Sequence, residues 1–225
     1  MFADITSANI VGYKAEGLRE GFTMVSPSFQ GIGKTTAIDL TSLKLNGDYG
    51  SGDIVIQTLT ALGEGDKAYE FVKDRRGNWF WRDVDSSETI EEGVVAFEYG
   101  TGLWVAGIDA TSLTSAGQVS TDDCEITLRD GFTATGNMTA VPVDLTAIIP
   151  GGEYGSGDIV IQTLTALGEG DKAYEFVKDR RGNWFWRDVD SSETIEEGAV
   201  VFAPGAGLWV AGVNGATITI PGPTL

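Results

Sequence analysis

The sequence predicts a mainly β protein made of two tandem, duplicated antiparallel β-sandwich or small-barrel domains. Three observations carry that expectation: a long internal repeat, strand-type alternation without helical periodicity, and 31 glycines among 225 residues, many in turn-like clusters. Tyr49 to Gly93 recurs without a change as Tyr154 to Gly198, at an offset of 105. Around that block the copies diverge but align: Ile38-Asp39-Leu40-Thr41 with Val143-Asp144-Leu145-Thr146, and Gly102 to Gly107 with Gly207 to Gly212. Upstream, Leu18 to Thr23 answers to Leu128 to Thr133 at an offset of 110, so copy one has about five extra residues between Phe29 and Ile38. A repeat of this length has the size of a globular domain. The expected division is 1–109, 110–215 and a terminal strand over 216–225. Identity that extends to polar positions such as Lys73, Arg75, Arg76 and Glu88 exceeds what core packing requires. Recent duplication accounts for it, and so does a need for both copies to present one surface to one kind of neighbour.

The elements follow in order. Asp53 to Leu62 is rich in β-branched residues and ends in Gly63-Glu64-Gly65-Asp66, a strand and its turn. Ala68 to Lys73 and Asn78 to Arg82 flank Asp74-Arg75-Arg76-Gly77, a hairpin whose glycine supplies the positive φ of its loop. Trp79 and Trp81 stand two apart, so both rings share a sheet face opposite Phe80. A second hairpin is expected from Val94 to Phe97, a Tyr-Gly-Thr-Gly turn, and Leu103 to Val105.

Composition excludes several functions. Lys and Arg total 15 against 33 Asp and Glu, a formal charge of −18, so the chain lacks the basic footprint that nucleic acid requires. Having no histidine removes imidazole-based triads and His-ligated metal sites. The single Cys124 precludes an intrachain disulfide. No apolar run is long enough for a membrane helix, so membrane insertion is not expected.

The pieces resemble a module of poorly characterised secreted bacterial β-rich repeat proteins. Gly21-Phe22-Thr23-Met24-Val25-Ser26 is similar to the module's opening strand, with Thr23 where Asn is usual. Pro204-Gly205-Ala206-Gly207-Leu208-Trp209-Val210 is similar to its closing signature, and Ser7-Ala8-Asn9-Ile10-Val11-Gly12-Tyr13 to the mature start of such proteins. Copy two departs from the opening pattern at Ala134-Thr135-Gly136. The resemblance implies an extracellular or cell-surface β module and carries over no catalytic residues. Phe2-Ala3 is similar to the tail of a secretory signal peptide.

Five features bear on chemistry. Gly31-Ile32-Gly33-Lys34-Thr35-Thr36 ends like a P-loop, but Ser28 occupies the place of its first glycine and a strand follows, so it reads as a loop. Acidic turns at Asp83, Asp85 and Glu88, repeated as Asp188, Asp190 and Glu193, are the places where oxygen ligands for calcium would gather. No other cofactor is implied. Tyr69, Trp79 and Trp81, with Tyr174, Trp184 and Trp186, form either core or a flat platform for glycan rings. Asn137-Met138-Thr139 fits a glycosylation sequon, and the acidic neighbours of Cys124 disfavour its thiolate.

Finally, Ala216-Thr217-Ile218-Thr219-Ile220 alternates as a half-buried strand after the second repeat has ended. It either closes its own domain or adds to a sheet of the next subunit. The leading expectation is a secreted, non-enzymatic protein that assembles with copies of itself into a filament, tube or surface layer. The alternative is a surface adhesin or carbohydrate-binding module.

Overall fold

The computed structural model describes residues 11–30, 37–58, 67–163 and 172–223. The first unit contains β1 (Val11–Gly17), β2 (Gly21–Val25), β3 (Ala37–Asp39), β4 (Lys44–Asn46), β5 (Val55–Thr58), β6 (Ala68–Lys73), β7 (Trp79–Asp83), β8 (Ala96–Glu98), β9 (Leu103–Gly107) and β10 (Ser112–Gln118). The second repeats them as β11 (Cys124–Thr127), β12 (Gly131–Gly136), β13 (Val143–Asp144), β14 (Ile149–Gly151), β15 (Val160–Thr163), β16 (Ala173–Lys178), β17 (Trp184–Asp188), β18 (Val201–Phe202), β19 (Gly207–Gly212) and β20 (Thr217–Ile220). Each strand's counterpart thus carries a number ten higher. Among the described residues helix is confined to two 3-10 turns, Leu40–Ser42 and Leu145–Ala147.

Each unit layers a five-stranded antiparallel sheet against a three-stranded one, the sandwich arrangement expected of strands with one apolar face. The orders are β2-β9-β5-β6-β7 with β1-β10-β4, and β12-β19-β15-β16-β17 with β11-β20-β14; neither sheet closes into a barrel. The pairs β3-β8 and β13-β18 complete the units. Ile56, Trp81, Leu103, Val105 and Leu113 share the first core, and Ile161, Trp186, Leu208, Val210 and Ile218 the second. The 3-10 turns are capped alike. Asp39 Oδ1 accepts from Thr41 N at 2.8 Å and Oδ2 from Gly93 N at 2.6 Å, which ties a distant loop to the turn; Asp144 does the same with Thr146 and Gly198.

The structure moves three expectations. The second hairpin does not form: β8 pairs with β3, and β9 enters the other sheet between β2 and β5. The Tyr-Gly-Thr-Gly turn therefore carries the chain from one sheet to another. The domain break at 109 also shifts, because β10 pairs with β1 from Gly17↔Ser112 to Val11↔Gln118 and closes the first unit. Its counterpart β20 is the central strand of β11-β20-β14, with Ala216, Ile218 and Ile220 fully buried. The segment Ala216, Thr217, Ile218, Thr219 and Ile220 is therefore no spare donor strand, and the chain holds two complete repeats. Despite its departures, β12 forms and pairs with β19 along its whole length, from Gly131↔Gly212 to Gly136↔Gly207.

Candidate functional site

The expected hairpin β6-β7 forms with Lys73 opposite Trp79. Asp74 organises its tip: its Oδ1 accepts from Arg76 N at 2.8 Å and Asn78 N at 2.9 Å, and Gly77 adopts φ 92°. Trp79 and Trp81 do share a face, but their environments differ. Trp81 and Tyr69 lie in the core at 3% and 7% exposure, and Trp186 and Tyr174 match them. Trp79 is half-buried where the sandwich opens. Phe71 stacks on it at 5.3 Å and 6°, Tyr49 meets it edge-on at 5.2 Å, and Lys73 Nζ lies 5.4 Å from its centroid. Trp184 keeps the same company with Phe176, Tyr154 and Lys178. The proposed three-ring platform therefore does not exist as a surface; of its three rings only Trp79, and Trp184 in the second unit, is half-buried, and each lines a cleft together with neighbouring aromatic rings.

Those clefts have volumes of about 290 and 280 Å³. Both share an aromatic wall, Phe71, Trp79, Phe80 and Trp81 in the first and Phe176, Trp184, Phe185 and Trp186 in the second, to which Tyr49 adds in the first; across it Lys44 and Leu45 face the first cleft where Ile149 and Pro150 face the second. The sequence showed the rings but not Tyr49 or Tyr154, whose contribution depends on the chain returning over the sheet edge.

The acidic turns do not converge. Asp83 Oδ1 accepts from Asp85 N at 2.9 Å and Ser86 N at 2.8 Å, which consumes it as a turn cap; Lys67 Nζ stands 4.0 Å from Oδ2. The bond from Ser86 N and burial act in opposite senses, and the bond wins, so the Asp83 carboxyl is held below its ordinary value of 3.8. Asp188 behaves alike through Ser191 N. Asp85 and Glu88 point to solvent, as do Asp190 and Glu193. Among the described residues no group of three or more His, Cys, Asp or Glu is placed to hold a metal ion, which corrects the calcium expectation at these six positions. The turns at Glu64 and Asp66, at Glu169 and Asp171, and the segment Gly31 to Thr36 lie outside the described residues.

The most specific construction is the joint between the units. Ser26 N donates to Gly205 O at 2.9 Å, Gly102 N to Ala134 O at 3.1 Å, and Thr135 Oγ1 to Gly100 O at 2.6 Å. Val25 also bridges to Ala206. Ala134 is the counterpart of Met24, and Gly207 of Gly102, so the contact is reciprocal. The end of each opening strand lies on the turn that precedes the other unit's β9 or β19. Met24, Ala134 and Trp209 are buried there against Trp104 and Phe132. A Cβ on Gly207 would fall 2.4 Å from Met24 Cγ, and one on Gly102 2.6 Å from Thr135 N. The second glycine of the closing signature is thus a close-approach residue of the joint.

Three further residues gain roles here. Tyr99 donates to Met138 O at 3.1 Å across the joint, and burial pushes its phenol up to about 12. Asn137 is 1% exposed and donates through Nδ2 to Val141 O and Phe202 O at 2.9 Å, so the sequon is structural. The Cys124 thiol is pushed up by burial rather than by its acidic neighbours. A cleft of about 420 Å³ beside the joint includes Arg19, Met24 and Phe202, but the Arg19 guanidinium already donates to Phe22 O.

No family model, curated protein or solved structure matches the chain.

Proposed function

We propose that the chain is a secreted, non-enzymatic structural protein that assembles with copies of itself into an extracellular filament, tube or layer. One observation carries this reading. The unchanged block Tyr49 to Gly93 and its copy hold β5 to β7 and β15 to β17, while the strands that meet at the joint, β2 and β12, come from diverged sequence. Joint partners are free to differ because each faces only the other, whereas repeated outer surfaces suit repeated neighbours. The resemblance to secreted bacterial repeat proteins supports the location. Sedimentation velocity over a wide concentration range tests the reading: mass should climb well beyond one chain, and a single monomer boundary throughout would refute it.

The paired clefts beside Trp79 and Trp184 favour a second reading, a surface module that holds glycan rings against one aromatic face per unit. Glycan binding that disappears in Trp79→Ala combined with Trp184→Ala, with folding intact, would select it over assembly.

A further inference from the structure

We infer that copies of this chain join end to end through the outer edges of their two large sheets, the basic hairpin tip of one chain seated against the acidic loop of the next. The inference rests on the self-assembly reading and names its contact surface. In the order β2-β9-β5-β6-β7 the joint lies at β2, which leaves β7 as the far edge; β17 is the far edge of the other unit. The two ends of the molecule therefore carry the same sequence from Tyr49 to Gly93 and from Tyr154 to Gly198.

Charge is divided along this edge. At the start of β7 the tip exposes Arg75 and Arg76; beyond its end the turn exposes Asp85 and Glu88, and the chain then runs back beside Asp83 to Trp81 and exposes Glu91 and Glu92. Within the unit Arg82 pairs with Glu70 at 2.7 Å, Lys67 Nζ stands 4.0 Å from Asp83, and Lys73 lies over the Trp79 ring. Among the described residues the side chains of Arg75 and Arg76 make no ion pair. Two such edges laid antiparallel across a two-fold axis set each arginine pair beside the other chain's acidic loop, twice per contact. Val84 and Val189, 42% and 41% exposed beside the acidic turns, add apolar area where each tip meets the other chain's loop.

Backbone addition is not the means. Asp83 N already donates to Glu88 O, and Ile90 N to Trp81 O, both at 2.9 Å, so the loop covers that part of the edge. Side chains make the contact. Because both ends are alike, one self-complementary contact repeats indefinitely and yields an unbranched filament without polarity.

The test uses the full chain in three charge variants, followed by sedimentation velocity and electron microscopy. Arg75→Glu, Arg76→Glu, Arg180→Glu and Arg181→Glu together should leave monomers. So should Lys at Glu88, Glu91, Glu92, Glu193, Glu196 and Glu197. Mixing the two should restore filaments, since each reversed surface then meets its complement. The first-block pair Arg75→Glu and Arg76→Glu alone leaves one live end and should stop at two chains. These side chains are exposed, and unchanged near-ultraviolet circular dichroism confirms folding. If wild type assembles and the variants assemble equally well, the contact surface is wrong while the self-assembly reading stands. If wild type never assembles, both fall.

Discussion

At the scale of single residues, the joint and the turn caps make the sharpest demands. Gly207 cannot accept a Cβ without displacing Met24, so Gly207→Ala should destabilise docking of the units by about 1–3 kcal/mol, the usual range for overpacking. Gly17→Ala is the control, since nothing lies within 4 Å of its added Cβ. Calorimetry of the two variants should show a lowered or split transition only for Gly207→Ala. The caps carry a pH signature. Asp74, Asp83, Asp179 and Asp188 all sit below their ordinary value of 3.8, each mainly through a backbone N–H bond. Their stabilisation is complete above that value and is lost as pH falls below it towards the lowered folded-state values. Melting temperature should therefore drop across that acid window, and Asp83→Asn with Asp188→Asn should flatten the drop.

At the scale of elements, the account turns on β20. Ile218 is fully buried between β11 and β14, so Ile218→Ala should cost about 2–5 kcal/mol. Removing Ala216 to Leu225 should unfold the second unit and spare the first, read as loss of one calorimetric transition. Much of this level was legible in the sequence. The β class, the duplication, the β6-β7 hairpin and the shared face of Trp79 and Trp81 all follow from local period and turn chemistry. What escaped was pairing between distant segments. β1 and β10 are joined from opposite ends of the first repeat, so β10 reads locally as a linker and β20 as a leftover. The β8–β9 turn has hairpin composition, yet its strands find partners in different sheets. At the candidate site, Trp81 is buried in the core while Trp79 packs against Tyr49 at the cleft, a difference made by distant segments that no local pattern reveals.

At the scale of the whole molecule, two homologous sandwiches meet through diverged strands and carry the repeated block at their far sheet edges. In the proposed assembly such a body extends by one kind of contact, with the tip and loop charges as its complementary surfaces. Because Asp83 and Asp188 are each already engaged by two backbone N–H groups as turn caps, millimolar calcium should leave assembly unchanged. The most direct measurement is negative-stain electron microscopy of the purified chain over a range of concentrations, with and without calcium. The account predicts unbranched filaments that lengthen with concentration and are indifferent to calcium. Discrete two-lobed particles at every concentration would contradict it.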